Sequence, residues 1–149
     1  MRASNAKEDK GKKIKPAKPV DLGRVLLVED DPVLALDLEF ALKDGGARDV
    51  VICQTMKATM QALESDTRFD AVVLDVHLAD RDDGWALAEL ISMLGTKQPR
   101  IAFSTGSPED IPANIAEMGP IFEKPYDPGQ LVEVLAAGRR RGLIARLLS

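Results

Sequence analysis

The sequence predicts an α/β fold, in which a doubly wound parallel sheet of five strands is covered by helices on both faces. Five apolar runs of strand length alternate with five stretches whose apolar residues recur at helical spacing, and this alternation is typical of parallel sheets. The run at Ala71–Leu74 is apolar throughout, as expected for a strand buried on both faces. In such sheets ligands bind beyond the carboxyl ends of the strands.

The predicted strands are short and mostly aliphatic. They are Val25–Val28, Val50–Cys53, Ala71–Leu74, Arg100–Phe103 and Ile121–Phe122. The single cysteine, Cys53, ends the second strand, and we interpret it as a small buried hydrophobic residue rather than a reactive thiol. It cannot form an internal disulfide, which is typical of proteins in a reducing compartment.

Five helices are predicted between and after these strands. They are Pro32–Leu42, Lys57–Glu64, Trp85–Leu94, Glu109–Glu117 and Pro128–Ala137. The first begins with a proline, which suits a position whose N–H is unpaired, and Gly45-Gly46 end it. The fourth is the weakest because it contains Pro112. The last has room to continue through Arg141 before Gly142, which we expect to interrupt it.

We expect one domain with two tails. Residues 1–22 predict a disordered basic tail, residues 23–138 the folded domain, and residues 139–149 a basic and apolar extension with no output domain. The composition, 45% hydrophobic and 30% charged, is typical of a soluble globular protein. Neither a membrane-spanning run nor a secretory signal is visible, so we expect a cytoplasmic protein.

The net charge of −4 conceals an asymmetry. Residues 1–24 carry eight Lys or Arg against three acidic residues, residues 138–149 carry four Arg and no acid, and the body between them carries eight basic and twenty-one acidic residues. Basic tails can bind nucleic acid or anionic lipid, but neither tail has interleaved aromatic residues or a groove-reading motif. We therefore expect solvated tails without a nucleic-acid partner, and leave open an amphipathic helix at 139–148.

Carboxylates follow two of the predicted strands directly. Glu29 and Asp30 come after the first strand, and Asp75 comes after the third. If these strands are neighbours, the acids meet in one pocket and need a cation. Oxygen ligands favour Mg²⁺, and a metal that keeps an open face suits a phosphoryl group. Taken singly, each acid has a simpler interpretation as a helix cap or turn residue.

Two further strand ends supply hydroxyls and a cation. Ser104-Thr105 follows the fourth strand, and Lys124 with Pro125 follows the fifth. The ordered set of acid pair, central Asp, Thr and Lys closely resembles the response regulator receiver domain of two-component signalling, over about residues 23–138. The resemblance implies a flavodoxin-like (βα)5 sandwich of three layers with strand order 2-1-3-4-5. A register slip of one residue would exchange the roles of Ser104 and Thr105.

The resemblance implies an acceptor and its metal ligands. Asp75 would accept a phosphoryl group from a phosphohistidine on a sensor histidine kinase or a histidine phosphotransfer protein. Glu29 and Asp30 would hold Mg²⁺ together with Asp75 and the backbone carbonyl of His77. Asp31 lies one place beyond the acid pair, and we leave it out of the ligand set.

The resemblance also implies residues that bind and tune the phosphoryl group. Thr105 and Lys124 would each bind a phosphoryl oxygen, and the Lys124–Pro125 bond is expected to be cis. Taken singly, Thr105 is a loop hydroxyl that bonds local backbone, and Lys124 is a solvated lysine. His77 and Ser107 would set the phosphoryl lifetime, in preference to a metal-binding or proton-shuttling His77 side chain. Nearby, the sequence predicts a solvated acidic loop and a packing aromatic: Asp80, Asp82, Asp83 and Trp85.

The chain departs from the common family pattern at three positions. Ile121 stands where many receivers carry an aromatic residue that moves with the Thr, which leaves the switch mechanism open. The run Phe103–Gly106 is similar to a subgroup of single-domain receivers with a Phe-Ala-Thr-Gly motif, known mainly from alphaproteobacteria. Ser104 replaces the Ala of that motif, and Ser107 replaces its usual aromatic residue.

We expect a single-domain response regulator that acts as a phosphorylation switch or phosphorelay intermediate. It would signal through protein contacts with an unknown downstream protein, and phosphorylation-dependent homodimerisation is one form that this can take. The alternative is a receiver-like interaction module that does not use phosphate. We do not expect an enzyme beyond self-phosphorylation and autodephosphorylation. A flavin-binding protein would need a phosphate loop rich in Gly, Ser and Thr after the first strand, where the acids Glu29–Asp31 stand. A phosphatase of the haloacid dehalogenase type would need a second Asp two places after Asp75, where His77 stands.

Overall fold

The computed structural model describes residues 20–65, 68–77 and 99–148. Five strands form one sheet, and their bounds are β1 Gly23–Val28, β2 Ala47–Cys53, β3 Ala71–Asp75, β4 Arg100–Thr105 and β5 Ile121–Glu123. The strand order is β2-β1-β3-β4-β5, and every neighbouring pair is parallel. This confirms the predicted α/β class and the order 2-1-3-4-5.

Helices occupy both faces of this sheet. Their bounds are α1 Pro32–Asp44, α2 Met56–Glu64, α3 Ala113–Ala116 and α4 Pro128–Leu148, with a short 3₁₀ turn at Pro108–Asp110. The predicted helix at Trp85–Leu94 lies outside the described residues. The connection from α1 to β2 needs glycine at Gly46, which has φ +114° and where a Cβ would collide with the carbonyl oxygen of Val20.

The continuous helix predicted over Glu109–Glu117 is wrong. The chain forms the 3₁₀ turn first, passes through an extended Ile111 (φ −81°, ψ 122°), and only then enters α3. Pro112 explains the break, because a proline disfavours helical backbone in the residue before it. Pro112 takes the N-cap position of α3, with φ −58° and ψ 147°.

The expectation that Gly142 interrupts the last helix is also wrong. The helix α4 runs from Pro128 through Gly142 to Leu148. A glycine in a helix interior costs only about 1 kcal/mol relative to alanine, and its neighbours here are good helix formers. Residue 138, where the sequence predicts the end of the folded domain, therefore lies inside α4. That boundary stays a prediction.

The sheet separates two hydrophobic clusters. One lies on the face that carries α2 and α3, and contains buried residues such as Leu26, Leu74 and Phe103. The other lies on the face of α1 and α4, and contains Leu27, Val73 and Leu131. Because side chains alternate along each strand, β1 and β3 contribute to both clusters and are buried on both faces. Packing on both faces therefore holds in place the two strands whose ends carry the acidic residues.

Candidate functional site

Three carboxylates lie together where β1 and β3 end. Glu29 and Asp30 follow β1, and Asp75 is the last residue of β3, its direct neighbour in the sheet. Each offers a carboxylate oxygen, and these oxygens all lie within 4.8 Å of one another. Glu29 and Asp75 are buried, while Asp30 is half-buried. The pocket expected from the sequence is present in the structure.

Lys124 brings an ammonium group into this cluster. Its Nζ donates hydrogen bonds to Asp75 Oδ2 at 3.1 Å and to Glu29 Oε2 at 3.2 Å. The backbone holds the residue in place, because Lys124 N donates to the carbonyl oxygen of Thr105 at 2.8 Å and the following bond to Pro125 is cis, as predicted. Burial alone would lower the pKa of Lys124, but the charges of Asp75 and Glu29 raise it above its ordinary value.

Burial strongly affects the carboxyl group of Glu29. Burial foremost, and then the charge of Asp75, raise its pKa to about 7, against the opposing effects of the Asp31 N–H and Lys124. The Asp31 N–H donates to Glu29 Oε2 at 3.1 Å. The other oxygen, Oε1, lies 3.1 Å from Lys124 Nζ but at an angle that makes no hydrogen bond. A buried carboxylate oxygen is therefore left with no hydrogen bond.

The donor set fits a hard divalent cation. Glu29, Asp30 and Asp75 present only oxygen ligands, and one ammonium cannot neutralise three carboxylates. The Oε1 of Glu29, which accepts no hydrogen bond, gives a direct structural reason for such an ion, since buried polar atoms normally have hydrogen-bond partners. The backbone N–H of His77 donates to Asp75 Oδ1 at 3.0 Å. A metal contact from the carbonyl of His77 stays a prediction.

The structure separates the two hydroxyls at the end of β4. Thr105 is buried, and its Oγ1 accepts a hydrogen bond from Ser107 N at 3.0 Å, which is the simpler of the two interpretations of the sequence. Ser104 pairs with Asp75 in the β3–β4 register, and its hydroxyl bonds the Tyr126 hydroxyl at 2.7 Å. A role of Thr105 toward a phosphoryl group stays a prediction.

Other residues that the sequence singled out have different surroundings. Asp31, left out of the ligand set, caps α1, because its Oδ1 accepts from Val33 N at 3.0 Å and Leu34 N at 3.4 Å. His77 Nε2 lies 3.4 Å from Asp110 Oδ2, without hydrogen-bond geometry, and its effect on phosphoryl lifetime stays a prediction. The acidic loop and the tryptophan lie outside the described residues: Asp80, Asp82, Asp83 and Trp85.

Sequence reasoning missed Tyr126. It lies two residues after Lys124, and its ring is 5.6 Å from that of Phe122. Burial raises the pKa of its hydroxyl, and the charges of Glu29 and Asp75 add to the rise, whereas the Ser104 hydrogen bond and Lys124 act in the other direction. Its place two residues after Lys124 was the available signal, because Lys124 itself had been found as a candidate at the end of the last strand.

Comparison with known proteins decides the family. A model of the response regulator receiver domain matches residues 25–136 of this chain. The chain belongs to this family. The receiver domain is 25% identical over 113 residues to the phyllosphere-induced regulator PhyR of Methylorubrum extorquens, covering 75% of this chain and 42% of PhyR. It is 36% identical over 109 residues to the transcriptional activator protein PfeR of Pseudomonas aeruginosa, covering 64% and 35%.

The receiver domain thus spans less than half the length of these two curated relatives. Among solved structures, a CheY-like response regulator receiver domain from Methylobacillus flagellatus superposes with a TM-score of 0.67 at 25% identity, covering 78% of this chain and 98% of that one. Membership of the Phe-Ala-Thr-Gly subgroup stays a prediction. Within the described ranges, no helix is long and apolar enough to cross a membrane.

Proposed function

We propose that this receiver domain accepts a phosphoryl group on Asp75 from the phosphohistidine of a sensor histidine kinase or a histidine phosphotransfer protein. The observation that carries the proposal is the set of contacts around one buried carboxylate. Asp75 lies within a carboxylate cluster that suits Mg²⁺, and its Oδ2 lies 3.1 Å from the Lys124 ammonium. Positioning and charge neutralisation are most of what phosphoryl transfer requires.

The transfer uses Asp75 as the nucleophile. A carboxylate oxygen attacks phosphorus, the P–N bond of the phosphohistidine breaks, and its electron pair leaves with the imidazole. The product is an aspartyl phosphate, an acyl phosphate that water can hydrolyse. Two hydrogen bonds orient the carboxylate for this step, from His77 N to Oδ1 and from Lys124 Nζ to Oδ2.

The remaining residues of the site are proposed to stabilise the negative charge of the phosphoryl group. Glu29, Asp30 and Asp75 would hold Mg²⁺, which when bound supplies positive charge toward the phosphoryl oxygens. Lys124 supplies a second positive charge from the chain itself. Thr105, buried at the end of β4, is proposed to exchange its local contact with Ser107 for one to a phosphoryl oxygen.

The added charge makes the domain a switch or a relay intermediate. Its output is proposed to run through protein contacts, with a downstream protein or with a second phosphorylated copy. The second candidate is a receiver-like interaction module that does not use phosphate. The buried Oε1 of Glu29, which accepts no hydrogen bond, favours the first candidate, because a module without metal would gain nothing from a destabilising buried acid.

Incubation with Mg²⁺ and acetyl phosphate, followed by intact mass, tests this function. We expect an adduct of one phosphoryl group that hydroxylamine removes, and none in Asp75→Asn. Asp49→Asn is the matched control, because Asp49 is an exposed carboxylate of β2 paired with Arg24 at 3.1 Å. An unmodified wild type, with acetyl phosphate and with a phosphorylated kinase domain, would overturn this proposal and favour the interaction module.

A further inference from the structure

A pair of hydroxyls lies beside the carboxylate cluster without belonging to it. Ser104 Oγ and the hydroxyl of Tyr126 are 2.7 Å apart, and either can donate. Ser104 is fully buried within β4, so its hydroxyl depends on this partner, since a buried hydroxyl without one is costly. Tyr126 is the only tyrosine of the chain.

The pair fastens the Lys124 loop to the end of β4. Lys124 N already donates to Thr105 O at 2.8 Å, and the Ser104–Tyr126 bond adds a second attachment two residues further on. The loop between β5 and α4 is thus held on both sides of Pro125. Holding the backbone there fixes the base of the Lys124 side chain, whose ammonium reaches Asp75 and Glu29.

The pair also lies next to the residue that would change charge. Ser104 is the register partner of Asp75 on the adjacent strand. The charges of Glu29, Asp75 and Lys124 all act on the Tyr126 hydroxyl, and the half-buried Tyr126 side chain packs against the apolar cluster and the Phe122 ring. Because Ser104 and Asp75 are both buried, a change of charge on Asp75 is less screened here than in water and alters the balance of donor and acceptor in the pair.

We propose that Tyr126, held by Ser104, is a positioning residue for Lys124, and that its hydroxyl responds when Asp75 is phosphorylated. This inference rests on the proposed function of Asp75. It assigns Tyr126 no contact with the phosphoryl group. The hydroxyl acts through the loop: it keeps the ammonium where both carboxylates, and later the phosphoryl oxygens, can bind it.

The alternative is that the pair only stabilises the fold. Tyr126→Phe and Ser104→Ala each remove one oxygen and leave the packing of Phe122 and Tyr126 largely in place. A purely stabilising pair would lower the free energy of unfolding in both variants without changing the chemistry at Asp75. A positioning pair changes the kinetics of phosphorylation, and it does so in folded protein.

The first measurement is the rate of phosphorylation. Wild type, Tyr126→Phe, Ser104→Ala and the double variant are incubated with Mg²⁺ and acetyl phosphate and followed by intact mass, below their unfolding temperatures. We expect each single variant to form the adduct about fivefold more slowly, as for one lost hydrogen bond. The double variant should be no slower than either single one, because both remove the same bond. Ser65→Ala, which removes an exposed hydroxyl of the α2 C-terminus, is the control.

The second measurement observes Tyr126 itself. Because the chain has one tyrosine, 3-fluorotyrosine labelling gives a single ¹⁹F resonance from this position. We expect the resonance to shift when acetyl phosphate and Mg²⁺ modify Asp75, and to stay in place in Asp75→Asn under the same conditions. This uses the intact chain and does not depend on any Tyr126 or Ser104 variant folding.

The two proposals fail in different ways. Wild-type protein that takes up the phosphoryl group, with both variants reacting at the wild-type rate or with an unmoved ¹⁹F resonance, would overturn the positioning role and leave the function of Asp75 intact. Wild-type protein that forms no adduct would overturn both.

Discussion

Asp75 presents two carboxylate oxygens with different partners. A backbone N–H, that of His77, donates to Oδ1 at 3.0 Å, and the Lys124 ammonium donates to Oδ2 at 3.1 Å. Both hydrogen bonds are charge-assisted, and together they fix the plane of the carboxylate. The Lys124 bond is the one that can be exchanged, because a side-chain ammonium can turn to an incoming phosphoryl oxygen while a backbone N–H keeps its direction.

We expect the stability of the metal-free protein to depend on pH through Glu29. Its pKa is about 7 in the folded protein and 4.5 as an ordinary side chain. A group whose folded pKa is raised contributes stability that is fully present below pH 4.5 and is lost as pH rises through about 7. We expect Glu29→Gln to remove this loss, so that the variant gains stability relative to wild type between pH 5 and pH 8 in EDTA.

Urea unfolding at the two pH values measures this difference. Glu39→Gln is the matched control, because Glu39 lies on α1 and pairs with Lys43 one helical turn away. The control should follow the wild type at both pH values. A Glu29→Gln variant that loses as much stability as wild type over this range would show that the titration of Glu29 does not cause the loss.

The residue scale is also where the sequence was least informative. Glu29, Asp30, Asp75 and Lys124 could be placed together, because each lies at or just after the end of a strand and parallel strands end at one edge. The Tyr126–Ser104 bond could not, because it depends on the path of the loop after Lys124 and on which face of β4 Ser104 takes. The spacing of apolar residues, from which the strands and helices were predicted, gives neither the path of that loop nor the contact that the Ser104 hydroxyl makes.

At the scale of elements, the first turn of α1 separates a capping acid from the metal-ligand candidates. Asp31 Oδ1 accepts from two N–H groups at the start of α1. Asp30, its neighbour, offers an oxygen to the carboxylate cluster instead. Three consecutive acids at one strand end therefore divide between a cation site and a helix cap.

Alanine substitution should separate these two roles. We expect Asp31→Ala to cost about 1 kcal/mol in the free energy of unfolding, as for a lost N-cap, with Mg²⁺ affinity within about twofold of wild type. We expect Asp30→Ala to lower Mg²⁺ affinity by roughly tenfold with little loss of stability in EDTA. Urea unfolding and calorimetric Mg²⁺ titration give the two quantities. The reverse pattern would exchange the assignments of the two residues.

The elements themselves were largely predictable, and the errors have local causes. Strands that are buried on both faces give apolar runs that stand out from their surroundings, so β3 was found within one residue. The prediction of one helix after β4 was wrong because Pro112 divides that stretch into a 3₁₀ turn and the short helix α3. The predicted end of α4 was wrong because Gly142 costs the helix less free energy than ending it among good helix formers would cost.

At the scale of the whole molecule, two large hydrophobic clusters stabilise a sheet whose edge carries three mutually repelling carboxylates. Clusters on both faces of the sheet bury the strands that carry Glu29 and Asp75. The same burial raises the free energy of the ionised Glu29 carboxylate, which the unfolded chain leaves in water. The folded state therefore gains from a cation that the unfolded state has no reason to bind.

This asymmetry predicts that Mg²⁺ stabilises the receiver domain as a whole. A ligand that binds only the folded state adds about 2.7 kcal/mol at a hundredfold excess over its Kd, and the melting temperature should rise steadily with Mg²⁺ concentration. We expect a larger rise at pH 8 than at pH 6, because Mg²⁺ competes with the proton on Glu29. Thermal unfolding at constant ionic strength, with NaCl replacing MgCl₂, measures this rise in melting temperature.

The variant Asp75→Asn keeps the shape of the site but removes one of its three charges, so most of the rise in melting temperature should disappear. An equal rise in that variant would place the cation elsewhere.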